Sequence, residues 1–177
     1  KEVSTISQTP TRTLGNSWLL PVITLIGAVF AIAAAFLGSG ALGGTPINQA
    51  AGGALSADAT PLAPAGPAFS IWSVIYLGLA AYALWQLTRT ARTSPRQRSL
   101  RPWALLSLLL NAAWIWTVQL GSLIGSVVVI LALLAVLIRI MYILGAPRTG
   151  GVVEQVLTDG AFGLYFGWVL VATFANT

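Results

Sequence analysis

The stretch PAFSIWSVIYLGLAAYALW, residues 67–85, decides the class of fold, because it is apolar enough to cross a bilayer and carries five aromatic rings. Phe69, Trp72 and Tyr76 lie three and four residues apart, a spacing that places side chains on one face of a helix. Trp and Tyr also carry polar atoms that usually find a partner when buried. The stretch therefore predicts a helix with one face suited to recognition.

The composition of the 177-residue chain is typical of a membrane protein. Hydrophobic residues make up 56% of it and charged residues 7%, and the mean hydropathy is +0.84. The chain has no cysteine, which excludes disulfides and thiolate nucleophiles, and no histidine, which removes the commonest metal ligand and general base. We therefore expect no catalytic residues, no metal site and no required cofactor.

Hydropathy predicts a single all-α domain over residues 1–177 with five membrane-spanning helices, since about 20 apolar residues cross the hydrocarbon core. The predicted helices are approximately Trp18–Leu37, Phe69–Thr88, Trp103–Leu120, Leu123–Leu144 and Ala161–Asn176. A Gly121–Ser122 turn between the third and fourth helices predicts a tight antiparallel hairpin. Because the chain begins at Lys1 without a methionine, we expect a piece of a longer protein, and the sequence leaves open whether further helices follow Thr177.

The basic residues predict the orientation, because Lys and Arg accumulate in short cytoplasmic loops. They lie before the first helix, between the second and third, and around the end of the fourth, at Lys1, Arg12, Arg89, Arg92, Arg96, Arg98, Arg101, Arg139 and Arg148. The segment 38–68 has none. This distribution places the N-terminus in the cytoplasm and a long external loop between helices 1 and 2. That loop is either a lid or a disordered connector.

The high pI of about 10.5 does not indicate nucleic acid, because the arginine cluster at 89–101 connects two hydrophobic spans. We expect its role to be topological, with binding of anionic lipid headgroups as a secondary role. The first span is interpreted as a retained helix, with a signal peptide as the alternative. Its small residues Gly27, Ala31 and Ala35 suit close helix packing, within the chain or in a dimer.

Polar residues within the spans must be paired or must line a cavity. Asn111 is expected to form either an interhelical hydrogen bond or a ligand contact. Arg139 is expected to reach the membrane interface or to form an ion pair. Glu154 and Asp159 are predicted to lie in a loop as solvated carboxylates, with pairing to Arg148 or Arg139 as the alternative.

The order of short motifs resembles the translocator protein family, also called tryptophan-rich sensory proteins or TspO. The motifs are FSIWSVIY at residues 69–76, ALW at 83–85, LNAAW at 110–114, LIR at 137–139 and WVLVATFAN at 168–176. The resemblance covers about Pro64 to Asn176. The family's W-x-P-P approach to the second helix is missing, since residues 62–67 read LAPAGP. The chain therefore resembles a divergent branch of this family.

This resemblance implies a bundle with an aromatic pocket that binds hydrophobic planar ligands such as porphyrins or sterols. The residues that match the family motifs, and that are therefore expected to bind ligand, are Trp72, Tyr76, Asn111, Trp114, Trp168, Ala172 and Asn176. A tetrapyrrole would be a ligand here and not a required cofactor. For Trp18, Trp85 and Trp103 we expect interfacial anchoring instead.

Three functions follow as hypotheses. The first is a sensor or translocator for porphyrins or other lipophiles. The second is light-driven porphyrin degradation, an activity proposed for some family members. The third is a noncatalytic accessory subunit of a larger membrane complex. The expected partners are a lipophilic small molecule, membrane lipids, and a second copy or a larger membrane complex, with no nucleic acid. The abundance of Arg, Ala, Gly and Leu suggests a bacterial cytoplasmic membrane.

Overall fold

The regular secondary structure of residues 18–39 and 70–176 is entirely helical. The computed structural model describes these ranges together with residues 49 and 52, except for the side chains of 175 and 176. The helices are α1 Leu19–Gly38, α2 Ile71–Trp85, α3 Arg89–Thr93, α4 Pro95–Gln119, α5 Leu123–Leu144, α6 Gly151–Glu154 and α7 Ala161–Asn176, and a π-helical segment, Gln155–Gly160, joins α6 to α7. The external loop predicted for 38–68 lies almost entirely outside the described residues.

Three helical stretches in the described part of the chain are long and apolar enough to cross a membrane. They are Leu19–Gly38, Leu123–Leu144 and Gly151–Phe174. Helix α2 is apolar but has 15 residues, and α4 has 25 residues but begins with an arginine-rich segment. The described part of the chain is therefore all-α with three candidate membrane spans.

Helices α4 and α5 form the predicted hairpin. The turn between them places Gly121 at φ +72°, a backbone conformation that glycine adopts readily. The N–H groups of Gly121 and Ser122 donate to carbonyl oxygens of the last turn of α4 at 2.9 and 3.0 Å. These bonds satisfy carbonyl groups that the end of a helix leaves unpaired.

Small residues let α1 pack closely on α4. Ala31 and Ala35 are buried within the chain. A Cβ atom on Gly27 would lie 2.1 Å from the side chain of Leu105, so only a residue without a side chain fits between the two helices there. The small-residue face of α1 is thus used inside the bundle, as the intramolecular interpretation expects.

A buried chain of polar side chains joins α2, α4 and α6, and we call it the polar network. Arg101 donates through Nε to Gln86 at 2.8 Å, and Gln86 donates to Gln97 at 2.9 Å. Gln97 donates to Glu154 at 2.8 Å, and Arg96 pairs with the same carboxylate oxygen at 2.6 Å. All five side chains are buried. The amides thereby link an arginine of α4 to a carboxylate more than 50 residues later in the chain.

The polar network continues toward the surface through Asp159. This carboxylate pairs with Arg96 and also with Arg148. Glu154 additionally accepts hydrogen bonds from two backbone N–H groups of the preceding turn at 2.8 and 2.6 Å. A buried carboxylate that is paired and fully hydrogen-bonded avoids most of the cost of leaving water.

The π-helical segment explains how one arginine pairs with two carboxylates. In an α-helix, residues five apart point about 140° away from each other. A π-helix closes its hydrogen bonds between residues five apart, so such residues come nearly onto one face. Glu154 immediately precedes this segment and Asp159 lies within it, and the carboxylates of both pair with Arg96.

The contacts of Arg92, Arg96 and Arg148 define one end of the bundle, which we call the arginine end. Arg92 lies over the ring of Trp18 at the start of α1, at 3.5 Å. Arg96 donates to the carbonyl oxygen of Leu144 at the end of α5, at 2.7 Å. At the opposite end, Gln119 donates to the carbonyl oxygen of Gly38.

One helix at this end is longer than the span predicted within it, and one sequence prediction is wrong. The predicted third span, Trp103–Leu120, falls largely within α4, which starts at Pro95 because Ser94 caps it and a proline at the first position needs no N–H partner. Glu154 and Asp159 were expected in a solvated loop, but both lie in helix and Glu154 is fully buried. The alternative pairing of Asp159 with Arg148 is observed.

Replacing Glu154 should destabilise the bundle strongly. In Glu154→Ala, Arg96 and Gln97 lose their buried acceptor, and breaking such an ion pair costs about 3 kcal/mol or more. The melting temperature of the detergent-solubilised protein measures this loss. Gln155→Ala, at the exposed neighbouring position, serves as the control and should melt like the parent. Equal melting of both variants would contradict the structural role of the polar network.

Candidate functional site

Five aromatic rings meet between α2, α4 and α7, and we call them the aromatic cluster: Trp72, Tyr76, Trp114, Tyr165 and Trp168. Trp72 is its centre. Its ring stacks on Tyr76 with centroids 5.4 Å apart and on Trp114 at 6.4 Å. The rings of Tyr165 and Trp168 meet it edge-on at 6.2 and 6.3 Å. Both geometries are favourable for aromatic pairs.

Helical spacing brings these rings together. Trp72 and Tyr76 are four residues apart on α2, and Tyr165 and Trp168 are three apart on α7, so each pair lies on one helix face. Tyr82 and Phe162 continue the contact between the same two helices, with ring centroids 5.0 Å apart. The aromatic cluster is therefore the end of a continuous packed face.

Asn111 forms the interhelical hydrogen bond that the sequence analysis proposed as one of its two roles. Its Nδ2 donates to the hydroxyl oxygen of Tyr76 at 2.9 Å. The Oδ1 atom of Asn111 and the indole Nε1 of Trp114 are buried, and within the described part of the chain neither has a hydrogen-bond partner. Buried polar atoms of this kind are rare in native proteins, because each costs about 1–3 kcal/mol.

Tyr165 is a member of the cluster that the sequence analysis missed. Its ring is fully buried, and its hydroxyl donates to the carbonyl oxygen of Ser107 on α4 at 3.1 Å. Its position three residues before Trp168 was an available signal. The family motif in the fifth span begins at Trp168, however, and therefore does not include Tyr165.

The remaining predicted site residues lie further along the chain. Ala172 is one turn after Trp168 on α7 and is half-buried against the core. Asn176 is the last residue of α7, and its side chain lies outside the described residues, as does Phe69. The structure thus brings together Trp72, Tyr76, Asn111, Trp114 and Trp168, while the assignment of all seven residues to a ligand site stays a prediction.

The other tryptophans have separate surroundings. Trp18 is exposed, and Trp103 is half-buried with Arg139 5.8 Å from its ring. Trp116 is exposed, and its Nε1 donates to the carbonyl oxygen of Ala34 at 3.2 Å. Trp85, expected as an interfacial anchor, is instead buried, with 8% of its surface exposed.

The site offers flat apolar surfaces and few polar atoms. Among the described residues there is no group of three or more His, Cys, Asp or Glu side chains that could hold a metal ion. What the site can provide is stacking on a ring, one indole N–H donor and one amide oxygen acceptor. Such a composition is usual for the binding of an apolar small molecule.

Comparison with known proteins gives one match. A family model described as TSPO-like protein matches residues 22–177. The match begins in α1 and includes every helix from α2 to α7. No curated protein and no solved structure matches the chain.

Two tyrosine hydroxyls should respond differently to removal in the ligand-free protein. Tyr76→Phe leaves the Nδ2 of Asn111 without its acceptor and should lower the free energy of unfolding by about 1–3 kcal/mol. Tyr82→Phe removes a buried hydroxyl that has no partner in the described part of the chain, so it should cost less than Tyr76→Phe. Melting temperatures in detergent compare them. A Tyr82→Phe variant that melts lower than Tyr76→Phe would contradict this description of the site.

Proposed function

The chain belongs to the TSPO-like protein family, and from this premise we propose that it binds hydrophobic planar ligands, such as porphyrins or sterols, in the aromatic cluster. The family supports a ligand-binding or transport role in a membrane. The class of ligand is what the resemblance to the family implies, and the aromatic rings of the site are chemically suited to it. In this role the protein acts as a sensor or translocator and not as an enzyme.

The observation that carries the proposal is the pair of unsatisfied polar atoms beside stacked rings. The buried Asn111 Oδ1 and Trp114 Nε1 lack partners, although Trp72 stacks on Trp114 and Tyr76 is bonded to Asn111. A flat ligand that carries both a hydrogen-bond donor and an acceptor would satisfy both atoms while it stacks on Trp72. Porphyrins have pyrrole N–H groups and carboxylates on a planar ring, so they fit this requirement.

We further propose that α2 and α4 also cross the membrane, which makes five spans. Both helices pack against candidate spans: α2 against α7, and α4 against α1 and α5. The arginine end would face the cytoplasm, since basic residues accumulate on that side. A bacterial cytoplasmic membrane is the proposed location.

Titration with protoporphyrin IX tests the ligand class. We expect saturable binding to the purified protein in detergent. Binding is monitored by the shift of the porphyrin's main absorption band, so that replaced tryptophans do not disturb the signal. Trp72→Ala and Trp168→Ala should each weaken binding about tenfold or more, because stacking surface is lost. Trp114→Phe should weaken it by about two- to tenfold, the contribution of one hydrogen bond.

The control is Trp116→Phe, the same change two residues later on α4. Trp116 is exposed and takes no part in the aromatic cluster, so its variant should bind like the parent. Equal affinity in all four variants would contradict the site assignment. Absence of saturable binding by the parent would favour the alternative of a noncatalytic accessory subunit of a larger membrane complex. Porphyrin loss that needs light and the Trp72 ring would favour photochemical degradation.

A further inference from the structure

A groove of about 490 Å³ lies at the arginine end, between the first turns of α4 and the last turns of α5. Arg96 and Ser99 line it from α4, and Arg139 and Tyr142 line it from α5. Thr149 of the following segment closes its rim. The groove is far from the aromatic cluster, and nothing in the proposed ligand site accounts for it.

Arg139 brings an unneutralised positive charge to this groove. Its guanidinium lies 5.8 Å from the ring of Trp103 and 5.4 Å from that of Tyr142, within the range of cation–π attraction. The ion pair foreseen for Arg139 is not observed, because Glu154 and Asp159 pair with other arginines. Within residues 70–176, Arg139 therefore has aromatic neighbours that fix its position but no carboxylate.

A second arginine, Arg96, lies in the wall of the groove, with its charge matched by Glu154 and Asp159. The side chain of Arg96 is 2% exposed, and its two terminal nitrogens bind the polar network and the end of α5. Its Nε is buried and has no hydrogen-bond acceptor in the described part of the chain. The hydroxyl groups of Ser99, Tyr142 and Thr149 add further donors along the lining. Arginine and hydroxyl donors together are typical of sites that bind phosphate.

An apolar stripe runs along α5 away from the groove. Its members are exposed side chains at alternating spacings of three and four residues, which places them on one helix face: Val128, Leu131, Ala135, Ile138 and Tyr142. Tyr142 belongs to both the stripe and the groove and is 78% exposed. The cationic groove thus lies at the end of a surface that acyl chains would cover.

We propose that the groove binds the phosphate of an anionic phospholipid, whose acyl chains lie along the apolar stripe of α5. Arg139 supplies the charge that selects an anionic lipid, and the hydroxyl donors orient the phosphate oxygens. A free phosphate compound would use the same donors but would gain nothing from the stripe. The groove and the stripe together therefore favour a lipid.

Native mass spectrometry of the delipidated protein in non-ionic detergent tests this proposal. Phosphatidylglycerol and phosphatidylcholine with identical acyl chains are titrated separately, and bound lipids are counted. We expect about tenfold tighter binding of phosphatidylglycerol, the scale of one charge-assisted contact. Arg139→Gln should abolish the difference between the two lipids, and Arg139→Lys should retain most of it.

The matched control is Arg98→Gln, which removes the same charge from an exposed residue of α4 that does not line the groove. It should leave the preference for phosphatidylglycerol unchanged. An equal loss in Arg98→Gln and Arg139→Gln would overturn the proposal, because it would indicate a general charge effect. Displacement of the lipid by millimolar glycerol phosphate would overturn the assignment to a lipid and indicate a soluble phosphate ligand. Equal affinity of the parent for both lipids would overturn the proposal as well.

Discussion

The rest of the structure depends on the buried polar network, which holds ionised groups inside an otherwise apolar bundle. An isolated charge there would cost many kcal/mol, so each member must be paired and hydrogen-bonded. The network meets this demand by running from Arg101 through two glutamines to Glu154 and Arg96. Its members come from α4, from α6 and from Gln86, the residue that follows α2. The constraint therefore fixes how these three elements lie relative to one another.

The same arrangement of helices also brings the rings of the aromatic cluster together. Helices α2 and α7 meet the polar network near the arginine end, and their aromatic faces then run together past Tyr82 and Phe162 to Trp72 and Trp168. At the network every buried polar atom of Glu154 and Gln97 has a partner, whereas at the cluster Asn111 and Trp114 each keep one atom unsatisfied. The carboxylate and amide groups of Glu154 and Gln97 are thus fully paired, while the aromatic cluster retains one buried acceptor and one buried donor without partners.

Much of this could be predicted from the sequence, because helical periodicity alone determines which residues share a face. Trp72 and Tyr76 were predicted together on this basis, and so was the Gly121–Ser122 hairpin. The pairings between helices could not be predicted in this way. The burial of Glu154 depends on Arg96, 58 residues away, and hydropathy counts both as solvated. The spacing of Tyr165 and Trp168 indicates that they share a face of α7, but only the packing of α7 against α2 and α4 brings that face to Trp72.

The π-helical segment has a consequence for the evolution of the chain. Such a turn accommodates one residue more than an α-helix would, and each residue of an α-helix advances the face by about 100°. Loss of a single residue from Gln155–Gly160 would therefore turn the segment into an ordinary α-helical turn and leave Tyr165 and Trp168 facing Trp72. A residue lost within α7 itself has no such turn to absorb it and would rotate the ring positions beyond it by about 100°. The segment is thus a place where the length of the chain can vary without displacing the aromatic cluster.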